Sequence, residues 1–234
     1  MKISLVLATL NEIDGMKAIM PRIRKEWYDE LIIIDGGSID GTCEYAKENG
    51  YFLRRQEGKG IRTALDQAFL LTSGDIIITF TPDGNSIPEI IPALIEKMKE
   101  GFDMVIVSRY LNEARSNDDS IISGLGNRAF TFLINLLHHG EYTDALIGFR
   151  AFRRETVDNI GLVRGPTNWF EKKYFQHTSW DFLSSVRCAR KKLKVGEIAG
   201  DEPARIGGKE KVNKLKVGLV LLVQLFLEIF IEPK

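Results

Sequence analysis

The chain has 234 residues, 44% hydrophobic and 27% charged, the composition of a globular protein with room for one large domain or two small ones. Its 32 Lys+Arg balance 32 Asp+Glu, so overall charge carries no footprint for nucleic acid. Cys43 and Cys188 fit no disulfide framework or metal spacing and read as packed thiols of a reducing compartment.

The opening MKISLVLATLNE holds an apolar run too short for a signal peptide, which reads as a cytosolic start. That run is a strand from Ile3 to Thr9, delivering Thr9, Asn11 and Glu12 to a sheet edge. Met16 to Trp27 reads as a helix, bent or started late at Pro21. Glu30 to Asp35 repeats the strand design and runs into Asp35-Gly36-Gly37-Ser38-Ile39-Asp40-Gly41-Thr42. The glycines let backbone approach a ligand, and Asp40 or Thr42 caps the helix that follows. Gly58-Lys59-Gly60-Ile61-Arg62 opens a helix with Ala64, Leu65, Ala68 and Leu71 at helical spacing. Such a start can hold a phosphate, yet it lacks the flanking residues of a P-loop and reads equally as an exposed loop.

Residues 74–89, GDIIITFTPDGNSIPE, contain a buried parallel strand through Ile76, Ile77, Ile78 and Phe80, stopped by Pro82, Gly84 and Pro88. Asp83 then sits at a strand's carboxyl end, where open α/β sheets bind ligands. With Asn85 it suits Mg²⁺ or Mn²⁺ carrying a diphosphate, and an ordinary Asp-Gly turn is the alternative. A helix from Pro88 to Glu100 precedes a strand, Met104 to Val107, that brings Arg109 to the same edge. Leu111 to Ser123 reads as a loop over the site. Asn127 to Leu137 is a helix apolar around much of its circumference, buried or set against lipid or another subunit, and His138 and His139 end it.

DALIGFRAFRR, 144–154, is a strand carrying Arg150 towards the edge. Thr178 to Leu193 is helical and Val195 to Ala199 a short strand. Between Arg187 and Lys216 ten Lys/Arg face four acidic residues, a segment suited to phosphates or an anionic membrane. Its loop, Gly200 to Lys211, offers Arg205, Lys209 and Lys211 for closure over an anion, or is simply solvated. Val217 to Ile231 is almost wholly apolar but short of the roughly twenty residues of a membrane span. On a helix, Lys214, Glu228 and Glu232 form one narrow stripe, which fits an in-plane membrane helix or a subunit contact. Strands alternating with helices predict a doubly wound, mainly parallel sheet.

In order and spacing, ATLNE, IIIDGGSIDGT, GKGIRTAL, SGDIIITFTPDGNSIPE, VSRY, DALIGFRAFRR and the loop ending GGKEK resemble the family-2 glycosyltransferases, most closely the dolichyl-phosphate mannose or glucose synthase-like branch. The resemblance implies a GT-A, Rossmann-like α/β fold over residues 1–211, followed by an apolar helix over 212–234. It implies a nucleotide sugar, UDP- or GDP-linked, held by Thr9, Asn11, Glu12, Asp35, Gly60, Arg62 and Asp83, with the metal on Asp83 and Asn85. Thr81 and Gly36 depart from the pattern, each standing where the family carries an aspartate. Transfer needs a stabilised leaving diphosphate, for which Asp83, Arg109 and Arg150 are the catalytic candidates. A polyprenyl phosphate acceptor is already anionic and needs cations, for which Arg128, Arg150, Arg205 and Lys209 are candidates. The expected reaction is an inverting, metal-dependent transfer at the cytoplasmic face of a membrane, by a peripheral protein that can self-associate. Alternatives are a hydroxyl acceptor, with Asp144 or Asp181 as base, and a non-catalytic sugar-nucleotide binder.

Overall fold

A computed structural model describes residues 1–118, 120–166, 168–207 and 214–231. Its strands are β1 (Ile3–Thr9), β2 (Glu30–Asp35), β3 (Phe52–Arg55), β4 (Ile76–Phe80), β5 (Met104–Ser108), β6 (Arg150–Arg153) and β7 (Val195–Ala199). The helices are α1 (Ile13–Ile19), α2 (Thr42–Glu48), α3 (Ile61–Leu71), α4 (Ile91–Lys99), α5 (Ile121–His138), α6 (Arg154–Asn159), α7 (Trp169–Tyr174), α8 (Trp180–Arg190) and α9 (Lys214–Phe230). The seven strands form one sheet in the order β3-β2-β1-β4-β6-β5-β7. Every pair is parallel except those made by β6, which runs against both β4 and β5.

Strand side chains alternate between faces, so each apolar run serves two cores. Leu5, Leu7, Ile33, Ile78 and Val105 pack with Met16, Ile19, Leu94 and Met98 on one face. Val6, Ile34, Ile77 and Ile106 pack with Ala68, Phe69, Trp180, Phe182 and Leu225 on the other. Each such aliphatic side chain, fully buried, contributes about 1.5–3 kcal/mol. This mainly parallel sheet, covered by helices on both faces, is the predicted architecture.

Three local readings change. The helix expected from Met16 to Trp27 begins at Ile13 and ends at Ile19. Pro21 falls in a 3₁₀ turn, Met20–Arg22, where its missing N–H costs no helical bond. The short, largely exposed edge strand β3 and the helices α6 and α7 had no counterpart in the sequence reading. Of the polar stripe of α9, Glu228 points inward, fully buried like Gln224 at its margin, while Glu232 and the side chain of Lys214 lie outside the described residues. There Glu228 Oε1 meets Arg187 Nη2 at 2.8 Å, and Glu171 Oε1 meets the same nitrogen at 3.2 Å. The basic segment therefore does not hold Arg187 out in solvent, because two carboxylates distant in sequence fold onto it. The outward face of α9 carries Leu215, Leu219, Phe226 and Phe230, and α5 beside it exposes Leu125, Phe132 and Leu136. Among the described residues no helix is long and apolar enough to cross a membrane.

Candidate functional site

Parallel registry pairs Thr9 with Asp35 and Leu7 with Phe80, so β1, β2 and β4 release their polar ends along one edge. Thr9 Oγ1 donates to Asp35 Oδ2 at 3.1 Å, while the N–H groups of Gly37 and Ser38 donate to Asp35 Oδ1 at 2.8 Å. Burial pushes the Asp35 pKa up, but these donors and the Ser38 hydroxyl outweigh it and hold the carboxyl below its ordinary range. Asn11, at φ 51°, takes a left-handed turn that suits its short polar side chain. Its N–H donates to Ser38 Oγ and its Oδ1 accepts from Ile39 N, both at 2.8 Å. Glu12 N–H donates to Thr42 Oγ1 at 3.0 Å. The loops after β1 and β2 are thus bolted together. Gln56 adds a further tie, donating its N–H to Asp35 O at 2.7 Å and its side-chain amide to Gly60 O at 2.9 Å.

Asp83 lies beyond β4, only 4% exposed. A Cβ at Gly15 would stand 2.3 Å from Pro82 O and 2.7 Å from Asp83 Cα, so glycine alone lets α1 rest on the Asp83 backbone. From the far end of the chain, β7 returns a loop whose Ile206 N–H donates to Asp83 O at 2.8 Å. Gly84, at φ 93°, leaves no room for a side chain beneath Ile206. Arg205 then inserts its guanidinium between two carboxylates, 2.7 Å from Asp83 Oδ2 and 3.2 Å from Glu12 Oε1. Burial raises the Asp83 pKa and Arg205 only partly offsets that. Beside it stand neutral oxygens as well: Thr81 Oγ1 donates to Asn85 Oδ1 at 3.2 Å and lies 3.3 Å from Ser86 Oγ.

Arg109 reaches the edge from β5, where its guanidinium is clamped by Asp144 at 2.6 Å and Glu202 at 3.2 Å. Burial disfavours the cation, but Asp144 and Glu202 more than restore it and raise its pKa. Glu202 also accepts from Ser116 Oγ, and its backbone carbonyl accepts from Asn117 N–H at 2.8 Å. Arg109 thereby ties the loop of residues 111–118 and the Arg205 loop to the sheet. Tyr110 lies between Arg109 and the exposed Arg128, whose guanidinium carbons are 5.2 and 5.3 Å from its ring.

The edge thus gathers Thr9, Asn11, Glu12, Asp35, Asp83, Asn85, Arg109 and Arg205, with Gly60 joined through Gln56. Two expected cations are elsewhere. Arg150 begins β6 beside Thr79, but its fully buried side chain turns into the α8 layer, donating to Asp181 O, Ser184 Oγ and Ser185 Oγ, each at 3.0 Å. Its Nε and Nη2 donate to Ile147 O, so the whole guanidinium is spent on buried protein acceptors, which corrects its expected catalytic and acceptor-phosphate roles. Arg62 is likewise buried, donating to Thr178 Oγ1 at 2.9 Å beneath the Phe175 ring, which removes it from the nucleotide-sugar set. Lys209 lies outside the described residues. The sequence reading missed Gly15, Gln56 and Glu202 as parts of the edge. For Gly15 the available signal was a glycine inside a helix beside a ligand-bearing turn.

Residues 4–161 match the model of the family described as Glycosyl transferase family 2. A dolichol-phosphate mannosyltransferase of Pyrococcus furiosus is 30% identical over 172 residues, 69% of this chain and 49% of that protein, so the chain spans about half that relative's length. A dolichyl-phosphate hexose transferase of Haloferax volcanii is 27% identical over 160 residues, 68% of this chain and 69% of that one. The structure of glucosyl-3-phosphoglycerate synthase from Mycobacterium tuberculosis, in complex with Mn²⁺, UDP and glucosyl-3-phosphoglycerate, superposes with a TM-score of 0.66 at 21% identity, covering 99% of this chain and 81% of that one. At that identity the likeness is one of fold.

Proposed function

The chain belongs to glycosyl transferase family 2 and is a glycosyltransferase, and from that premise we propose that it moves a hexose from a UDP- or GDP-linked donor to a polyprenyl phosphate. The observation that carries the reading is the convergence of Glu12 and Asp83 on one guanidinium at the carboxyl edge. Two buried carboxylates there demand a cation, and a nucleotide sugar brings one with its diphosphate. Among the described residues no three His, Cys, Asp or Glu cluster around a metal position. The donor set is nonetheless all oxygen, with Asp83, Asn85 Oδ1 and Thr81 Oγ1 adjacent, and Mg²⁺ or Mn²⁺ is commonly held by one or two carboxylates plus substrate phosphates. These residues fit such an ion once Arg205 withdraws. When bound, it neutralises charge on the leaving diphosphate.

The rest of the chemistry belongs to the chain's own side chains. Thr9, Asn11, Glu12 and Asp35 form the rigid floor for the nucleoside. Arg205, released from its carboxylates, stays beside the reacting centre as the cation for the acceptor phosphate, with Arg128 at the rim. An anionic acceptor needs no base. That agrees with Asp144, which is fully buried in its pair with Arg109 and stands in no position to take a hydroxyl proton. The exposed apolar faces of α5 and α9 hold the protein at the membrane surface where a polyprenyl chain resides. The likeness to a dolichol-phosphate mannosyltransferase of Pyrococcus and a dolichyl-phosphate hexose transferase of Haloferax supports the same acceptor class.

Transfer of labelled sugar from a panel of UDP- and GDP-hexoses to polyprenyl phosphate, with Mg²⁺, Mn²⁺ or chelator, tests this reading. Metal-dependent labelling of the lipid is expected, and Asp83→Ala lowers it by about 10²-fold or more. Donor binding or hydrolysis with no lipid product would sink it.

A further inference from the structure

A cavity of about 210 Å³ lies at the outside of the helix layer, where α6, α8 and the end of α9 meet. None of its lining residues belongs to the carboxyl edge. Four cations line it, Arg164, Arg187, Arg190 and Lys191, against the carboxylates of Asp158 and Glu228. Glu228 is already committed: Arg187 reaches it at 2.8 Å, Arg190 at 3.5 Å and the Gln224 amide at 2.9 Å. Lys191 Nζ donates to Asn159 Oδ1 at 2.9 Å.

Arg164 differs from the rest. Among the described residues its guanidinium meets no carboxylate, and its Nε is buried without an acceptor. Gly161, at φ 60°, makes room for it, since a Cβ there would stand 2.9 Å from Arg164 Cδ. Burial and then the neighbouring Arg187 push its pKa down, and the Glu171 and Glu228 carboxylates, both already paired with Arg187, only partly offset them. Leaving a buried donor unpaired costs free energy unless something supplies the acceptor.

We propose that this cavity binds a phosphate group, carried either free or as a lipid headgroup. Phosphate brings the missing negative charge and the oxygens that match guanidinium forks. The volume holds a phosphoryl group with a few waters at about 30 Å³ each, and falls below the roughly 300–1,000 Å³ of sites for larger organic ligands. Ile231 in the cavity lining, preceded along α9 by the exposed Phe230 and Phe226, would lie against the chains of a lipid source. The proposal goes beyond sugar transfer and uses none of the same residues, so either can fail alone.

Isothermal titration of the intact chain with inorganic phosphate tests it, beside flotation on phosphatidylcholine vesicles with and without phosphatidic acid. Arg164→Gln removes a side chain that, among the described residues, makes no ion pair and leaves its Nε unpartnered, so the fold is retained; Arg190→Gln is the second variant. Saturable one-to-one phosphate binding is expected, weakened about tenfold or more by Arg164→Gln. Arg164-dependent enrichment on phosphatidic acid vesicles assigns the lipid source, and phosphate binding without enrichment assigns the free anion. The proposal is overturned by absence of both signals, or by phosphate binding that neither arginine variant weakens.

Discussion

Arg205 occupies the place between Glu12 and Asp83 that a divalent ion would contest. Arg205→Gln removes that competitor: Mn²⁺ binding measured by calorimetry is expected to tighten about tenfold, while transfer to the lipid phosphate falls. Unchanged Mn²⁺ affinity would separate the arginine from the metal's seat. Asp83 must be ionised to hold a metal, and burial raises its pKa, so activity is expected to fall on acidification at a pH above the ordinary carboxylate range. A pH–rate profile that holds level down through that range would contradict this. Asp66 offers a cleaner linkage. Burial raises its carboxyl from 3.8 to about 6, although it accepts the Trp180 indole N–H at 2.7 Å. The folded state then holds a proton that the unfolded chain releases. The group's contribution is whole below about pH 4 and lost as pH rises to about 6. Asp66→Asn keeps the indole acceptor and removes the titration, so its stability relative to the parent, read by urea unfolding, should rise by about 2 kcal/mol across that window.

Gly15 sets how closely α1 approaches the turn after β4. A methyl group there meets backbone atoms rather than a flexible side chain, so Gly15→Ala should cost about 1–3 kcal/mol and lower Tm by several degrees. Because the atoms displaced belong to Pro82 and Asp83, donor binding should fall with it, and a variant with parental Tm and donor affinity would refute the packing argument. The strands were legible because each apolar run of β1, β2, β4 and β5 ends at a polar residue, and Asp35, Asp83 and Arg109 follow from those ends. The direction of β6 was not legible, since its sequence fits either polarity and only pairing with β4 and β5 decides. Nor was the fate of Arg150 and Arg187, whose partners on α7, α8 and α9 are 16 to 41 residues away. An arginine reads as a surface cation until a distant carboxylate or hydroxyl is folded against it.

For the molecule as a whole, α5 and α9 turn Leu125, Phe132, Leu219 and Phe226 outward on adjoining helices, a face too apolar to be incidental. Joint replacement Phe132→Asp with Phe226→Asp should abolish flotation on phosphatidylcholine vesicles while leaving donor binding intact. Loss of a concentration-dependent dimer in its place would assign the face to a second copy. The clasp at the carboxyl edge has a consequence in time. Arg205 and Glu12 are 193 residues apart, so the contact closes one of the longest loops the chain can make. During synthesis from the amino terminus, β1, β2 and β4 can pair long before Arg205 has emerged. A nascent chain therefore carries Asp83 and Glu12 uncovered, and the edge is sealed only once the 193 residues that follow Glu12, up to Arg205, have been made.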